Sequence, residues 1–259
     1  MRRRKGYGQF CPVAKASEIV AERWTPLVLR ELLAGSRRFN DLRRGVPLMS
    51  QSMLAQRLRE LEWAGIVERR QGTGKRGADY HLTPAGEELR PVIEQLGTWG
   101  YRWAQSDLKD EDLDAGLLMW DMQRRIHLDR LPPRRVVVHF RFHDAGRGKS
   151  IWWLVLEPGE VDLCLKPPGY QIDLTVECDV RTMVLVWLGD LSLAEAQRSH
   201  SLRLEGPRPL REGLPRWLAL TGFAATPLHD RSVRPRPGLR TVLADSGDLP
   251  SNLLGSRKS

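Results

Sequence analysis

Cysteine is scarce in this 259-residue chain, and the three present, Cys11, Cys164 and Cys178, are an odd number. No disulfide framework follows from them, and none has a second cysteine or histidine at metal-ligand spacing, so a metal site is not expected. Long apolar runs are lacking too. None exceeds six residues, Met183 to Leu188 being one of that length, against the ~20 needed to span a bilayer. The basic start Arg2-Arg3-Arg4-Lys5 continues into polar, glycine-rich sequence without the apolar stretch of a signal peptide, so the expected location is cytoplasmic, with no membrane partner. A phosphate-cradling glycine loop, a metal cluster and a nucleophile–base pair are all missing, which argues against an enzyme and against a cofactor.

Acidic residues are what the first part of the chain has too few of. Residues 1–104 hold 19 Lys and Arg against 11 Asp and Glu, whereas residues 105–259 hold 22 against 21. Nearly all of the net charge of +9 thus sits where a polyanion would be attracted. At ~150 residues per domain, the length suggests two domains and a tail.

Val13 to Val20 and Leu27 to Leu33 carry apolar residues at helical spacing, with Thr25-Pro26 as cap and first turn of the second helix and Gly35 as its end. Phe39, Leu42 and Val46 form the apolar side of a short helix closed by Pro47. Ser50 then caps a longer one, in which Leu54, Leu58 and Leu61 at i, i+4 and i+7 define the buried face. At ~100° per residue the opposite face carries Ser52, Gln56 and Arg59, flanked by Gln51 and Arg57. These side chains can hydrogen-bond base edges and phosphates. Ile66 to Arg69 and Tyr80 to Thr83 read as two strands. The glycine-rich loop between them carries Lys75 and Arg76 at its tip, suited to phosphate or minor-groove contact. A helix opening at Thr83-Pro84, with Glu87 completing a capping-box pattern, should run through Leu89, Val92, Ile93, Leu96 and Trp99. The pattern is that of a winged helix-turn-helix, an arrangement that presents one helix to a DNA groove.

Cys11-Pro12, Glu22-Arg23-Trp24-Thr25, Leu29 to Leu33, Arg38-Phe39-Asn40-Asp41-Leu42, Leu54 to Glu62, Gly65-Ile66-Val67 and Leu82 to Gly86 occur in this order. Together they resemble the HxlR family of bacterial regulators over residues ~10 to 104. The resemblance implies double-stranded DNA as partner, with Arg38, Asn40 and Ser50 joining Gln51, Ser52, Gln56, Arg57 and Arg59 in the contact set. It also implies a homodimer formed through the N-terminal segment and the helix from Pro84 to Trp103, with one recognition helix per subunit in successive major grooves. Several members of the family sense electrophiles or oxidants through a cysteine near the N-terminus. Cys11 stands in the matching place, beside cations that favour a reactive thiolate.

Leu113, Leu117, Trp120 and Arg124 fall at helical spacing, so residues 105–132 are expected to form a joining helix that Leu131-Pro132-Pro133 ends. From Arg134 the period changes to two. Val136, Val138, Phe140 and Phe142 alternate with Val137, His139, Arg141 and His143, the histidines lying on a face read as solvated and not as metal ligands. Ile151 to Leu156 is apolar on both faces, and further strands are read at Val161 to Leu165 and Ile172 to Cys178, the last cysteine as core. Trp187-Leu188-Gly189-Asp190-Leu191-Ser192 and Leu202 to Gly206 complete a pattern over residues 133–228 that resembles the sterol-carrier-protein-type lipid-binding domain. That resemblance implies a small sheet backed by helices around an apolar tunnel, for which Trp152, Trp153, Leu185 and Trp187 are the candidate lining residues. Residues 229–259, rich in Pro, Arg, Ser and Gly, are expected to be a disordered tail.

The expected fold class is α+β, with a winged helix-turn-helix over 1–104 followed by the sheet-plus-helices domain. Three functional readings arise. A dimeric DNA-binding regulator responds to an apolar small molecule held by the second domain; or it responds through Cys11, with the second domain serving oligomerisation; or the chain is a lipid carrier with a DNA-binding module attached.

Overall fold

The computed structural model describes residues 6–72, 77–104, 108–146 and 148–224. In the first domain α1 spans Pro12–Val20, α2 Thr25–Leu33, α3 Phe39–Gly45 and α4 Gln51–Trp63. The apolar stripes read from the sequence meet in one core: Val28, Leu29 and Leu32 of α2, Leu42 of α3 and Leu54, Leu58 and Leu61 of α4 are all buried. Ser50 caps α4 by accepting the Met53 N–H at 3.3 Å. The helix closes in a Schellman turn, with Ile66 N–H on the Leu61 carbonyl and Gly65 N–H on that of Glu62, both at 3.0 Å. This requires a left-handed residue at position 65, where glycine has φ +73°. The start of α2 differs from expectation. Trp24, itself left-handed at φ 77°, occupies the cap position without a side-chain cap, and Thr25 lies inside the helix, fully buried.

Strands β1 (Val67–Gln71) and β2 (Ala78–Leu82) pair antiparallel, Val67 opposite Leu82, and a bridge between Arg38 and Asp79 adds the link before α3 to this wing. The helix expected as one piece after Thr83 is two: α5 (Pro84–Glu87) and α6 (Arg90–Trp103). Pro91 explains the break, since it has no N–H and its ring crowds the carbonyl four residues back. Thr83 caps α5 through the Gly86 N–H, while Glu87 pairs with Arg90 at 2.7 Å.

The expected joining helix is shorter, and it is not a spacer. Helix α7 covers Ala115–Arg124, flanked by short 3-10 turns at Asp110–Asp112 and Leu128–Arg130. Its stripe Ala115, Leu118, Met119 and Met122 is buried in the core of the second domain, because those positions fall at i, i+3, i+4 and i+7. The sheet there contains β3 (Val136–Phe142), β4 (Ile151–Glu157), β5 (Glu160–Cys164), β6 (Leu174–Cys178) and β7 (Leu202–Glu205), in the order β5-β4-β3-β6-β7. All neighbours are antiparallel except β3 and β6. Helices α8 (Val180–Leu188), α9 (Leu193–Arg198) and α10 (Arg208–Trp217) complete it.

Linking β5 to β6 takes residues 165–173 across β4 and β3. The Arg135 guanidinium lies 3.9 Å from the centre of the Tyr170 ring on that crossing. This segment accounts for a departure from the sequence reading. Val137, Trp153 and Val155, on the face opposite Val136 and Val138, are buried as well. His139 is not solvated: it is half-buried and stacks on Trp153 at 5.1 Å, whereas His143 is exposed.

Candidate nucleic-acid interface and its link to the second domain

On α4 the exposed side chains are Gln51, Ser52, Met53, Gln56 and Arg59, with Glu62 and Trp63 exposed in its last turn. Gln56 donates to Glu60 at 2.9 Å, and the Ser50 hydroxyl, besides capping, lies 3.2 Å from that of Ser52. Arg38 and Asn40, at the start of α3, are exposed. Arg38 and Arg59 form no ion pair among the described residues, and their charge is available to an anion. The same holds for Arg43 on α3 and Arg69 on β1, which the sequence reading passed over because neither lies on the recognition helix. Lys75 and Arg76 lie outside the described residues.

Arg57 departs from its expected role. It is only 7% exposed, packed between Glu60 and Glu22 (3.7 Å), with its Nε buried and without a hydrogen-bond partner. Its position one residue before Leu58 rotates it toward the α1–α2 side, and its guanidinium is committed inside the domain.

A polar centre that no local pattern announces sits beneath these helices. Glu31 of α2 is fully buried. Its Oε1 accepts from Arg30 (Nη2 at 2.9 Å) and Arg124 (3.3 Å), and its Oε2 from Ser36 (3.2 Å), Trp120 Nε1 (3.1 Å) and Arg124 Nη1 (2.9 Å). Arg124 also pairs with Asp121, and both Arg124 and Arg44 stand over the Trp120 ring at 5.2 Å. A Cβ at Gly45 would collide with the Glu31 carboxyl, so α3 can close on this site only through glycine. A second link joins α6 to the end of α8: the Tyr101 hydroxyl lies 3.1 Å from both the Leu188 carbonyl and the Asp190 carboxylate.

The candidate tunnel residues do not converge. Trp152 and Trp153 are neighbours on β4 and therefore face opposite sides of the sheet. Trp152 donates to the Lys149 carbonyl at 2.6 Å and packs toward Gly116 at the start of α7, while Trp153 stacks on His139. Leu185 is half-buried, and of the four Trp187 alone lines a cleft of about 300 Å³ at the seam between α6 and the second domain.

The thiols differ sharply. Burial, reinforced by Asp179 and Asp144, pushes Cys178 up to about 12, and burial with Asp162 raises Cys164. Cys11 is half-exposed at the cap position of α1. Among the described residues no cluster of three potential metal ligands occurs, and no helix is long and apolar enough to cross a membrane.

Two helices joined by a turn, the second with a polar exposed face, and a two-stranded wing define a helix-turn-helix transcriptional regulator. The model of the HxlR-like helix-turn-helix family matches residues 19–108. The HTH-type transcriptional regulator YvaP of Bacillus subtilis is 34% identical over 105 residues, covering 39% of this chain and 96% of its own. YodB of the same organism is 34% identical over 99 residues, 37% of this chain and 88% of its own. The chain belongs to the HxlR family. Among solved structures, the redox regulator HypR in its oxidized form is similar at 33% identity, covering 38% of this chain and all of its own, with a TM-score of 0.35. The second domain lies outside the family match.

Proposed function

We propose that the protein acts as a homodimer on a specific DNA site, and that its second domain holds an apolar small molecule that changes the affinity for that site. Dimerisation is supported by apolar surface left uncovered on one chain. Val92, Leu96 and Trp99 fall at i, i+4 and i+7 on α6 and are each at least half exposed, and Phe10 just before α1 and Val13 on it are exposed, α1 having no buried residue. A second protomer covering this stripe would set the spacing of the two α4 helices on the duplex. A five-stranded sheet backed by helices, with the Gly189-Asp190 turn after α8, supports the sterol-carrier-protein-like reading of the second domain.

The observation that carries the proposal is the Glu31 centre. A carboxylate of the DNA-binding domain is completed by Trp120 and Arg124 of a helix whose other face is core of the second domain. A change in that core therefore reaches α2 and α3 through direct contacts, as coupling between two sites requires. Native mass spectrometry of the purified protein, combined with DNA binding before and after removal of any retained apolar compound, tests it. A retained compound whose removal shifts DNA affinity fits, and a protein that carries none and whose DNA affinity no apolar compound alters sinks the ligand-responsive reading.

A second reading places the switch at Cys11, favoured by its half-exposed thiol next to the uncovered apolar surface of α1. Cys11→Ser decides between the two: loss of an oxidant response with no ligand response would put the thiol first.

A further inference from the structure

The cleft at the seam has a volume of about 300 Å³, at the small end of the ~300–1,000 Å³ usual for ligand pockets. Helix α6 contributes Gly97, Gly100 and Tyr101, and the second domain faces them with Trp187 and Phe223. Glycine is disfavoured inside a helix relative to alanine, so two on one face need a reason. Gly97 has one, because a Cβ there would collide with the Phe223 ring. Gly100 has none of that kind: its φ is not positive, and a Cβ would meet no atom within 4 Å. Its effect is to leave the cleft open where any other residue would begin to fill it.

The charge on the walls has one sign. Among the described residues, Asp112, Asp114 and Asp121 line the cleft and no Lys, Arg or His does. Asp114 is matched by Lys149 at 2.8 Å and Asp121 by Arg124. Asp112 accepts the Lys109 N–H at 3.0 Å and has no cationic side chain paired with it among the described residues. Aromatic rings beside a carboxylate without a cationic partner favour a cation over an anion, as cation–π and Coulomb attraction act together.

We propose that this cleft binds a small aromatic cation of the arylalkylammonium class, its ring against Trp187, Phe223 and Tyr101 and its charge toward Asp112. Such a ligand touches both α6, which carries the uncovered apolar stripe, and the end of α8. It is thus placed to alter the seating of the DNA-binding domain on the second domain. The inference rests on the reading that the protein takes a small-molecule signal through its second domain, and adds to the apolar ligand of that domain a cationic one at the seam.

Calorimetric titration of the full-length protein with benzyltrimethylammonium, N,N-dimethyl-2-phenylacetamide and phenylacetate tests charge at nearly constant shape. The ammonium should bind at least tenfold more tightly than the neutral amide, and phenylacetate most weakly. Gly100→Leu should fill the cleft and weaken ammonium binding at least tenfold. Asp112→Asn, which keeps the turn, should weaken the ammonium several-fold and leave the amide unchanged; it decides the matter if the leucine variant fails to fold. Equal binding of the three probes, no binding of the ammonium, or ammonium binding indifferent to both substitutions overturns the proposal. Ammonium binding that leaves the affinity for a duplex selected from a random pool unchanged keeps the site and sinks the signalling role. A neutral apolar compound that shifts DNA affinity while the ammonium fails to bind does the reverse.

Discussion

The Trp120 indole N–H donates to the Glu31 carboxylate at 3.1 Å, joining residues 89 positions apart and from different domains. Each Glu31 oxygen already has several donors, so the carboxylate is buried with its charge answered. A helix from the appended domain supplies part of that answer, which ties the stability of the DNA-binding domain to the presence of its neighbour.

Trp120→Phe removes one donor and keeps the ring. The expected cost is ~1–3 kcal/mol, that of a buried group losing a partner. Arg124→Met takes away the cation that completes both oxygens and should cost ~3–5 kcal/mol, because a buried charge is left short of its counter-charge. In the Glu31→Gln background the Arg124 substitution should cost much less. Urea denaturation of the parent, the three single variants and the Glu31→Gln/Arg124→Met double variant provides the check, and additive effects would mean that the contacts are not coupled.

Arg57 and Arg59, two residues apart on α4, should behave oppositely. Arg59 is exposed and unpaired among the described residues. Arg59→Ala should weaken binding to all duplexes and lower the salt slope by about 1, the signature of one lost phosphate contact. Arg57 is held by Glu60 and Glu22. Its replacement by Ala should lower the stability of the protein by on the order of 3 kcal/mol and leave the salt slope of the folded protein alone. A slope change for Arg57→Ala would return that residue to the DNA surface.

These contrasts mark where local pattern stops being informative. The helix-turn-helix was legible because its signals are local: the leucine spacing of α4, the Ser50 cap and the Gly65 turn all act within a few residues. Strands β3, β5 and β6 of the second domain were legible from period-two alternation, and Cys178 as core follows from its place in that alternation. What was not legible depends on contacts distant in sequence. Nothing near Glu31 announces Trp120, and nothing near Val137 announces the crossing by residues 165–173, whose Asp173 bonds to the Val137 backbone. Arg57 looked like its neighbours because a helical wheel gives direction but not that Glu22, in the link between α1 and α2, comes to meet it.

Thiol reactivity should follow burial. Cys178, pushed up to about 12 by its surroundings, carries almost no thiolate at pH 8 and should resist iodoacetamide in the native protein. Cys11, half-exposed, should be labelled first, and Cys164, raised by burial and by Asp162, more slowly. Mass spectrometry of timed samples orders the three. Early labelling of Cys178 would mean that the sheet opens on the labelling timescale.

His139 should make the second domain sensitive to mild acid. Desolvation disfavours its imidazolium, Arg141 opposes it further, and Glu177 pulls the other way, so its pKa lies below the ordinary 6.5. As pH falls, the unfolded chain therefore takes up this proton before the native one does. The native state loses stability as pH falls through about 6.5 and stops losing it, on this account, below the folded value. His139→Phe keeps a ring to stack on Trp153 and removes the titration. Between pH 7.5 and 5.5 the urea midpoint of the parent should drop further than that of the variant. Equal drops would show that the stacked imidazole accepts its proton as readily as a free one, and that its half-burial against Trp153 does not disfavour the charge.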